Sequence, residues 1–204
     1  MIYRHDFFRT EIALIENQSL RDFVEWFLDH KMPLWFWTSR ASSTGKYHPK
    51  FTKEEGGLVK HCKAVAQMAY ELCRNEAITK TDSENTLSDF AVVAAILHDC
   101  AKYGTGTTAS HKDYKQHDRN GANLVADAWK EFFQAPIPKG IYNAILRHMG
   151  QWGTEAPVEP LDMVVHLADY VTSRTMLDCP EIVRDYHEVY GELPFYWGDE
   201  EKGG

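Results

Sequence analysis

Residues 90–104 read FAVVAAILHDCAKYG, an apolar run that ends in two adjacent polar residues, His98 and Asp99. The run predicts a buried helix that carries both side chains into the interior of the domain. An ionised carboxylate taken out of water without a partner costs several kcal/mol, against a domain stability of about 5–15 kcal/mol. Asp99 therefore needs a metal ion or a hydrogen-bonded partner. A metal site and a His–Asp hydrogen bond that caps the helix both meet this need, and the run alone leaves both open.

Lys102 follows His98 by four residues, a spacing that places two side chains on one face of a helix. We expect both to face one cleft, which Asp99 reaches from the side. Lys102 is then a candidate for stabilising negative charge on a bound group. The alternative is a solvent-facing lysine beyond the end of the helix.

Four further side chains follow the same pattern, a histidine or aspartate on the apolar face or at the start of a predicted helix: His61, His117, His148 and Asp169. Each alone is compatible with a hydrogen-bonded core residue. Six buried polar groups on five helical segments are hard to satisfy separately, whereas one metal centre satisfies all of them. Imidazole with carboxylate suits Mn, Fe, Co, Ni or Zn, and the high histidine content disfavours calcium.

Hydrophobic periodicity predicts a chain of helices joined by polar segments. Ser19 is the predicted N-cap of the first clear helix, which stops before Pro33. We predict long irregular segments over 33–57 and 103–116, the second able to close over a ligand, and an exposed tail from Gly191. Five further helices are predicted. One begins at Gly57, one carries His98, and the other three cover 117–133, 139–153 and 160–177.

Composition indicates one soluble domain without a membrane span. The 204 residues are 44% hydrophobic, and no stretch approaches the roughly 18 apolar residues that cross a bilayer. The charged N-terminus is unlike a signal peptide, so we expect a cytoplasmic protein that does not associate with membranes. The cysteines lack the spacing of a zinc knuckle and are predicted to be reduced core thiols: Cys62, Cys73, Cys100 and Cys179.

The net charge of −8 argues against a general nucleic-acid coat protein. Residues 31–63 nevertheless hold seven basic residues against two acidic ones, namely Lys31, Arg40, Lys46, Lys50, Lys53, Lys60 and Lys63 against Glu54 and Glu55. This is either an anion-binding region or a solvated basic loop.

In combination these motifs resemble the HD-domain superfamily of metal-dependent phosphohydrolases, of the two-metal type. The family's lone His, HD doublet and distant Asp match His61, His98 with Asp99, and Asp169. The extra histidines of two-metal members match His117 in HDRNGA and His148 in RHMG. YHPKFTKEEGGLVKH and HLADYVTSR are also similar to the HD domain of some bacterial 3′-to-5′ exoribonucleases and of small phage and bacterial HD proteins.

The resemblance implies an all-α HD-domain bundle of about six to eight helices around a metal centre. We predict a single domain over 1–204, with a core over about 38–177 and extensions at 1–37 and 178–204. Two divalent transition-metal ions are implied. One is held by His61, His98, Asp99 and Asp169, and Asp99 bridges to a second held by His117 and His148.

The implied reaction is hydrolysis of a phosphate ester or anhydride of a nucleotide or short single-stranded oligonucleotide by a metal-activated water. Asp99 and Lys102 are the predicted catalytic residues. The predicted substrate-binding residues are Arg40, Lys46, His48 and Lys50 for phosphates, and Trp152 for a base, unless Trp152 simply packs. Di-iron oxygenases of the superfamily use the same six ligands, and a nucleotide sensor without turnover is a third alternative. The sequence leaves open the identity of the metal, the substrate and the oligomeric state.

Overall fold

The computed structural model describes residues 3–42, 48–75, 86–110, 112–174 and 180–192. These ranges contain eight α-helices and five short 3-10 helices, with no β-strand among them, which confirms the predicted all-α class. The α-helices are α1 (Arg9–Ile12), α2 (Gln18–His30), α3 (Gly57–Cys73), α4 (Thr86–Leu97), α5 (His117–Phe133), α6 (Lys139–Arg147), α7 (Pro160–Thr172) and α8 (Pro180–Glu192). The 3-10 helices are Arg4–Phe8, Leu34–Trp37, Lys50–Thr52, Asp113–Gln116 and Gly150–Trp152.

Helix α4 lies at the centre of the bundle, in contact with α3, α6 and α7. Every side chain from Ala91 to Leu97 is completely buried, which explains why this helix is apolar all round instead of amphipathic. Helix α3 packs against α7 as well, and α5 packs against α6. The ends of α4 and α6 and the start of α5 therefore meet near the faces of α3 and α7.

The chain leaves α4 earlier than the sequence predicts. The helix ends at Leu97, so His98, Asp99 and Lys102 lie in the turns that follow it. The backbone N–H of Lys102 donates to the carbonyl of Asp99, a tight turn in place of a helical one. The prediction that Lys102 shares a helical face with His98 is therefore wrong, because the turn folds Lys102 back onto Asp99 itself.

The start of α2 also differs from the prediction, which placed the N-cap at Ser19. Asn17 is the N-cap, and its side chain accepts a hydrogen bond from the backbone N–H of Leu20. The carboxylate of Asp89, on α4, accepts from the N–H groups of Glu16 and Asn17. This contact from a distant helix fixes where α2 begins.

Helix α8 was not predicted, and it packs beside the N-terminal segment. Tyr186 lies 5.3 Å from the ring of Phe7, and Ile182 and Val189 are buried with it. The hydrophobic core is continuous from Phe7 through the central helices to Val189. The predicted division into one domain with two extensions stays a prediction, and the predicted tail lies outside the described residues from 193 onward.

Two of the seven basic residues of 31–63, predicted to form either an anion-binding region or a solvated loop, are buried. Lys63 donates to the carboxylate of Glu11 at 2.6 Å and to the carbonyl of Phe7 at 2.7 Å. Lys60 lies over the ring of Tyr186, with its ammonium 4.6 Å from the ring centre. Lys60 and Lys63 therefore hold the bundle together and are not available to an anion.

None of the helices in the described ranges combines the length and the hydropathy that crossing a membrane requires.

Candidate metal centre

The structure brings together the six side chains that the sequence singles out. They come from five parts of the bundle: His61 on α3, His98 and Asp99 after α4, His117 at the first residue of α5, His148 just after α6, and Asp169 on α7. All are buried except Asp169, whose side chain keeps 22% of its exposure and so marks the side open to solvent. Their possible ligand atoms form three overlapping groups, each within 4.8 Å, a separation that one metal ion can span.

Asp99 lies between two histidine groups and turns one oxygen to each. Its Oδ2 atom is 3.4 Å from Nε2 of His98 and 3.7 Å from Nε2 of His61. Its Oδ1 atom is 3.1 Å from Nε2 of His117 and 3.8 Å from Nε2 of His148. A carboxylate placed in this way can bridge two cations.

Asp169 adds a second carboxylate, which lies nearest His61 and also groups with His98 and His148. Its Oδ1 atom lies 3.1 Å from Nε2 of His61 and 3.9 Å from Nε2 of His98. The first group therefore consists of two imidazoles and two carboxylates. The second consists of two imidazoles and the shared Asp99.

Three of the histidines are oriented by one local device that the sequence does not reveal directly. The Nδ1 atoms of His98, His117 and His148 each lie 2.6–2.7 Å from the carbonyl oxygen three residues earlier. These carbonyls belong to Ala95, Tyr114 and Ile145. The carbonyls of Ala95 and Ile145 lie in the last turn of their helices, where a carbonyl group has no hydrogen-bond partner within the helix. A carbonyl only accepts, so each Nδ1 carries the proton and each Nε2 presents a lone pair to the centre.

The arrangement of these lone pairs fits a cation. Nε2 of His117 lies 3.2 Å from Nε2 of His148, and with both protons on Nδ1 neither atom can donate to the other. Among the described residues, the buried Nε2 atoms of His61 and His98 and Oδ1 of Asp99 also have no hydrogen-bond partner. Buried lone pairs that face one another are repulsive unless a positive charge lies between them. The residues present therefore fit divalent metal ions.

The protonation of His61 and His148 is consistent with this fit, whereas the pKa of His98 is raised because the neighbouring Asp99 outweighs the effect of burial. Burial lowers the pKa of His148 to about 3, and the neighbouring imidazoles act in the same direction. Burial likewise lowers the pKa of His61, although Asp169 offsets part of the effect. Both side chains are neutral imidazoles at physiological pH, the form that binds a metal.

Both carboxylates are ionised. Burial works against the charge on Asp99, but Lys102 and His98 outweigh it and hold its pKa well below the usual range. Burial works against the charge on Asp169 too, but the imidazoles around it, first of all His61 at 3.1 Å, lower its pKa below the ordinary value. The centre therefore offers neutral nitrogen and anionic oxygen ligands, a donor set for Mn, Fe, Co, Ni or Zn.

Three side chains line the centre without belonging to the six. Lys102 is nearly buried, and its ammonium lies 2.5 Å from Oδ2 of Asp99. The ring of His48 packs edge-on against His61 at 5.5 Å, and burial lowers its pKa to about 3. Tyr114 holds its ring 5.3 Å from that of His117 and was missed by the sequence reasoning. A tyrosine three residues before a candidate histidine is the signal that could have found it.

The other predicted substrate-binding residues have varied placements. Arg40 and Lys50 are exposed, and Trp152 is 57% exposed beside the end of α6. Lys46 lies outside the described residues. Their roles in binding substrate stay predictions.

The cysteines in the described residues have the character expected of core thiols. Cys62 and Cys100 are buried, and burial raises their pKa above the ordinary value, while Cys73 is half-buried. A thiol that keeps its proton is a poor metal ligand. Cys179 lies outside the described residues.

Comparison with known proteins supports the same reading. The family model described as HD domain matches residues 58–174, a range that contains all six residues of the centre. No curated protein and no solved structure matches the chain, so its predicted similarity to exoribonucleases stays a prediction. Because the family match spans more than half of the sequence, the chain belongs to the HD-domain superfamily of metal-dependent phosphohydrolases.

Proposed function

We propose that the chain hydrolyses a phosphate ester or anhydride of a nucleotide or short oligonucleotide. One observation carries this proposal: Asp99 turns one oxygen towards His61 and His98, and the other towards His117 and His148. Two cations held on either side of one carboxylate form the arrangement that clamps both the attacking and the leaving oxygen of a phosphoryl group.

The proposed ligands divide into two sets that share Asp99. His61, His98, Asp99 and Asp169 would hold one ion, and Asp99, His117 and His148 would hold the other. Bound divalent ions supply a hydrolytic water of lowered pKa and positive charge for the phosphoryl oxygens.

The remaining charge of the cavity comes from the chain itself. The two carboxylates and Lys102 line the cavity, and two divalent cations would outweigh the carboxylates, so that the loaded cavity attracts anions. Lys102 is held against Asp99 by its turn, and we propose that its ammonium also stabilises a phosphoryl oxygen. His48 packs against His61 at the edge of the centre and can contact the same phosphate.

We expect the purified protein to release phosphate, pyrophosphate or a mononucleotide when it is supplied with Mn²⁺ and a panel of nucleotides and short oligonucleotides. The reason is that the donor set and the net positive cavity both suit phosphoryl transfer. Product analysis by chromatography, with the metal content measured by elemental analysis, tests this expectation.

Two results would contradict the proposal in different ways. Iron in the isolated protein, with oxygen-dependent turnover of an organic substrate and no hydrolysis, would identify a di-iron oxygenase. Tight nucleotide binding at full metal occupancy, with no product from any member of the panel, would identify a nucleotide sensor.

Replacing Lys102 by methionine is expected to lower kcat by about 10²-fold, the usual effect of losing one preorganised donor to a developing charge. Methionine keeps most of the buried volume, and the Asp99 carboxylate remains available to the ions. Steady-state kinetics should therefore show a larger change in kcat than in KM, with the metal content retained. Lys112→Met, at an exposed lysine in the loop that follows Lys102, is the matched control. An unchanged kcat in Lys102→Met would show that Lys102 only neutralises Asp99.

A further inference from the structure

An exposed pair of stacked rings lies beside the metal centre. The rings of Trp152 and Tyr170 are parallel to within 5°, with their centres 5.9 Å apart. Trp152 is 57% exposed and Tyr170 is 39% exposed. A tryptophan is usually well buried in a folded domain, so a stacked and exposed one requires an explanation.

The same backbone segments hold this pair and the metal centre. Tyr170 follows Asp169 on α7, and Trp152 ends the 3-10 helix that begins two residues after His148. His166, on α7, has its Nδ1 atom 2.7 Å from the carbonyl of His148, which ties the two segments together.

The turn that carries Trp152 is closely fitted. Gly150 has φ +59°, and a Cβ atom at this position would lie 2.3 Å from the ring of His166. After the tryptophan, the carboxylate of Asp118 accepts hydrogen bonds from the backbone N–H and the hydroxyl of Thr154, at 2.8 and 2.9 Å. The indole is therefore presented by a fixed turn and not by a mobile loop.

A cation completes the stack. The guanidinium of Arg174 lies 4.0 Å from the centre of the Tyr170 ring, and its Nε atom donates to the carbonyl of Tyr170. An arginine held over an aromatic ring adds positive charge to a surface that already offers a flat apolar face. An exposed aromatic face with a nearby arginine is a combination that binds a nucleic-acid base and its phosphate.

We propose that Trp152, Tyr170 and Arg174 form a subsite that stacks the base of a nucleotide whose phosphate lies at the metal centre. This inference rests on the function proposed above. Every base has a flat face, so stacking tolerates different bases but needs a base that is unpaired. The subsite would select mononucleotides or single strands, would favour the larger purine ring, and would discriminate against phosphate esters that lack a base.

The test compares two ligands that differ in the base alone. We expect the Mn²⁺-loaded protein to bind AMP about tenfold more tightly than ribose 5-phosphate, the advantage that one stacked base typically gives. Isothermal titration calorimetry measures both affinities. In Trp152→Ala the preference for AMP should fall to about twofold or less, and in Trp152→Phe, which keeps a ring, most of it should remain.

Tyr3→Ala is the matched control, because the exposed ring of Tyr3 is also stacked, on His5, but belongs to the N-terminal segment that packs on α2. This variant should keep the full preference. A second arm replaces AMP by a single-stranded trimer of adenylate. Tighter binding of the trimer, lost in Trp152→Ala, would indicate an oligonucleotide substrate, and equal binding would indicate a mononucleotide.

The outcomes separate this inference from the proposed hydrolysis. Equal affinity for AMP and ribose 5-phosphate in the wild-type protein, or a preference that survives Trp152→Ala, would overturn the stacking subsite even if the protein hydrolyses nucleotides. A preference that depends on Trp152 in a protein without hydrolytic activity would establish the subsite and reject the hydrolysis.

Discussion

Asp99→Asn is expected to lower the metal content and to reduce kcat/KM by about 10³-fold or more, since the carboxylate that we propose to bridge two ions loses its charge. Asparagine has nearly the same shape, but it is neutral and offers one oxygen where Asp99 turns an oxygen to each histidine group. The change also leaves the buried ammonium of Lys102 without its carboxylate. Elemental analysis and a hydrolysis assay on the same preparation measure both losses.

Asp89→Asn provides the matched control for this substitution. Asp89 is a buried carboxylate near the other end of α4, where it accepts from the backbone N–H groups of Glu16 and Asn17. We expect this variant to lose about 1–3 kcal/mol of stability through weakened hydrogen bonds, and to keep its metal. A normal metal content and normal turnover in Asp99→Asn would rule out the bridging role.

The second large effect is on stability, and it lies away from the metal centre. Glu11→Ala is expected to lower the free energy of unfolding by about 3–5 kcal/mol, the cost of leaving a buried charge without its partner. Lys63 and Glu11 are both completely buried, and the second carboxylate oxygen of Glu11 accepts from the amide of Gln67 at 2.6 Å. Urea denaturation followed by circular dichroism measures the change.

Two comparisons show whether the buried charge is the cause. Glu188→Ala removes the exposed partner of Arg9 and should change the free energy of unfolding by less than about 1 kcal/mol. The double variant Glu11→Leu with Lys63→Met replaces both charges by apolar groups and should recover much of the loss. If the double variant is no more stable than Glu11→Ala, packing and not charge accounts for the effect.

The helices that bear the centre could be predicted because their patterns are strong. Helix α5 begins at His117 and ends at Phe133, and α3 begins at Gly57, as the periodicity indicates. Helix α8 was missed although Ile182, Tyr186 and Val189 recur at the four- and three-residue steps of an amphipathic helix. What the sequence could not show is that Tyr186 meets Phe7 from the other end of the chain. The predicted start of α2 was wrong for a similar reason, because a long-range contact with Asp89 on α4 determines where α2 begins.

The convergence of the six side chains could be predicted because six unpaired polar groups on apolar faces need a common solution. The orientation of the histidines could not, because it depends on backbone carbonyls that helix ends leave unpaired. The environment of the lysines was equally hidden. Lys60 and Lys63 looked like surface charge, and only the packing of the N-terminal segment and α8 around α3 shows that they are interior groups.

The meeting of Phe7 with Tyr186, and of Lys60 with the same tyrosine, has a consequence for synthesis of the protein. On the ribosome, α3 emerges long before the residues of α8 that cover its ammonium groups. One flank of α3 therefore stays exposed to solvent while the rest of the bundle assembles. The packing of α8 excludes water from this flank and joins the earliest and the latest described parts of the polypeptide. A nascent chain halted before α8 would therefore hold a nearly complete metal centre on a bundle whose packing is still incomplete.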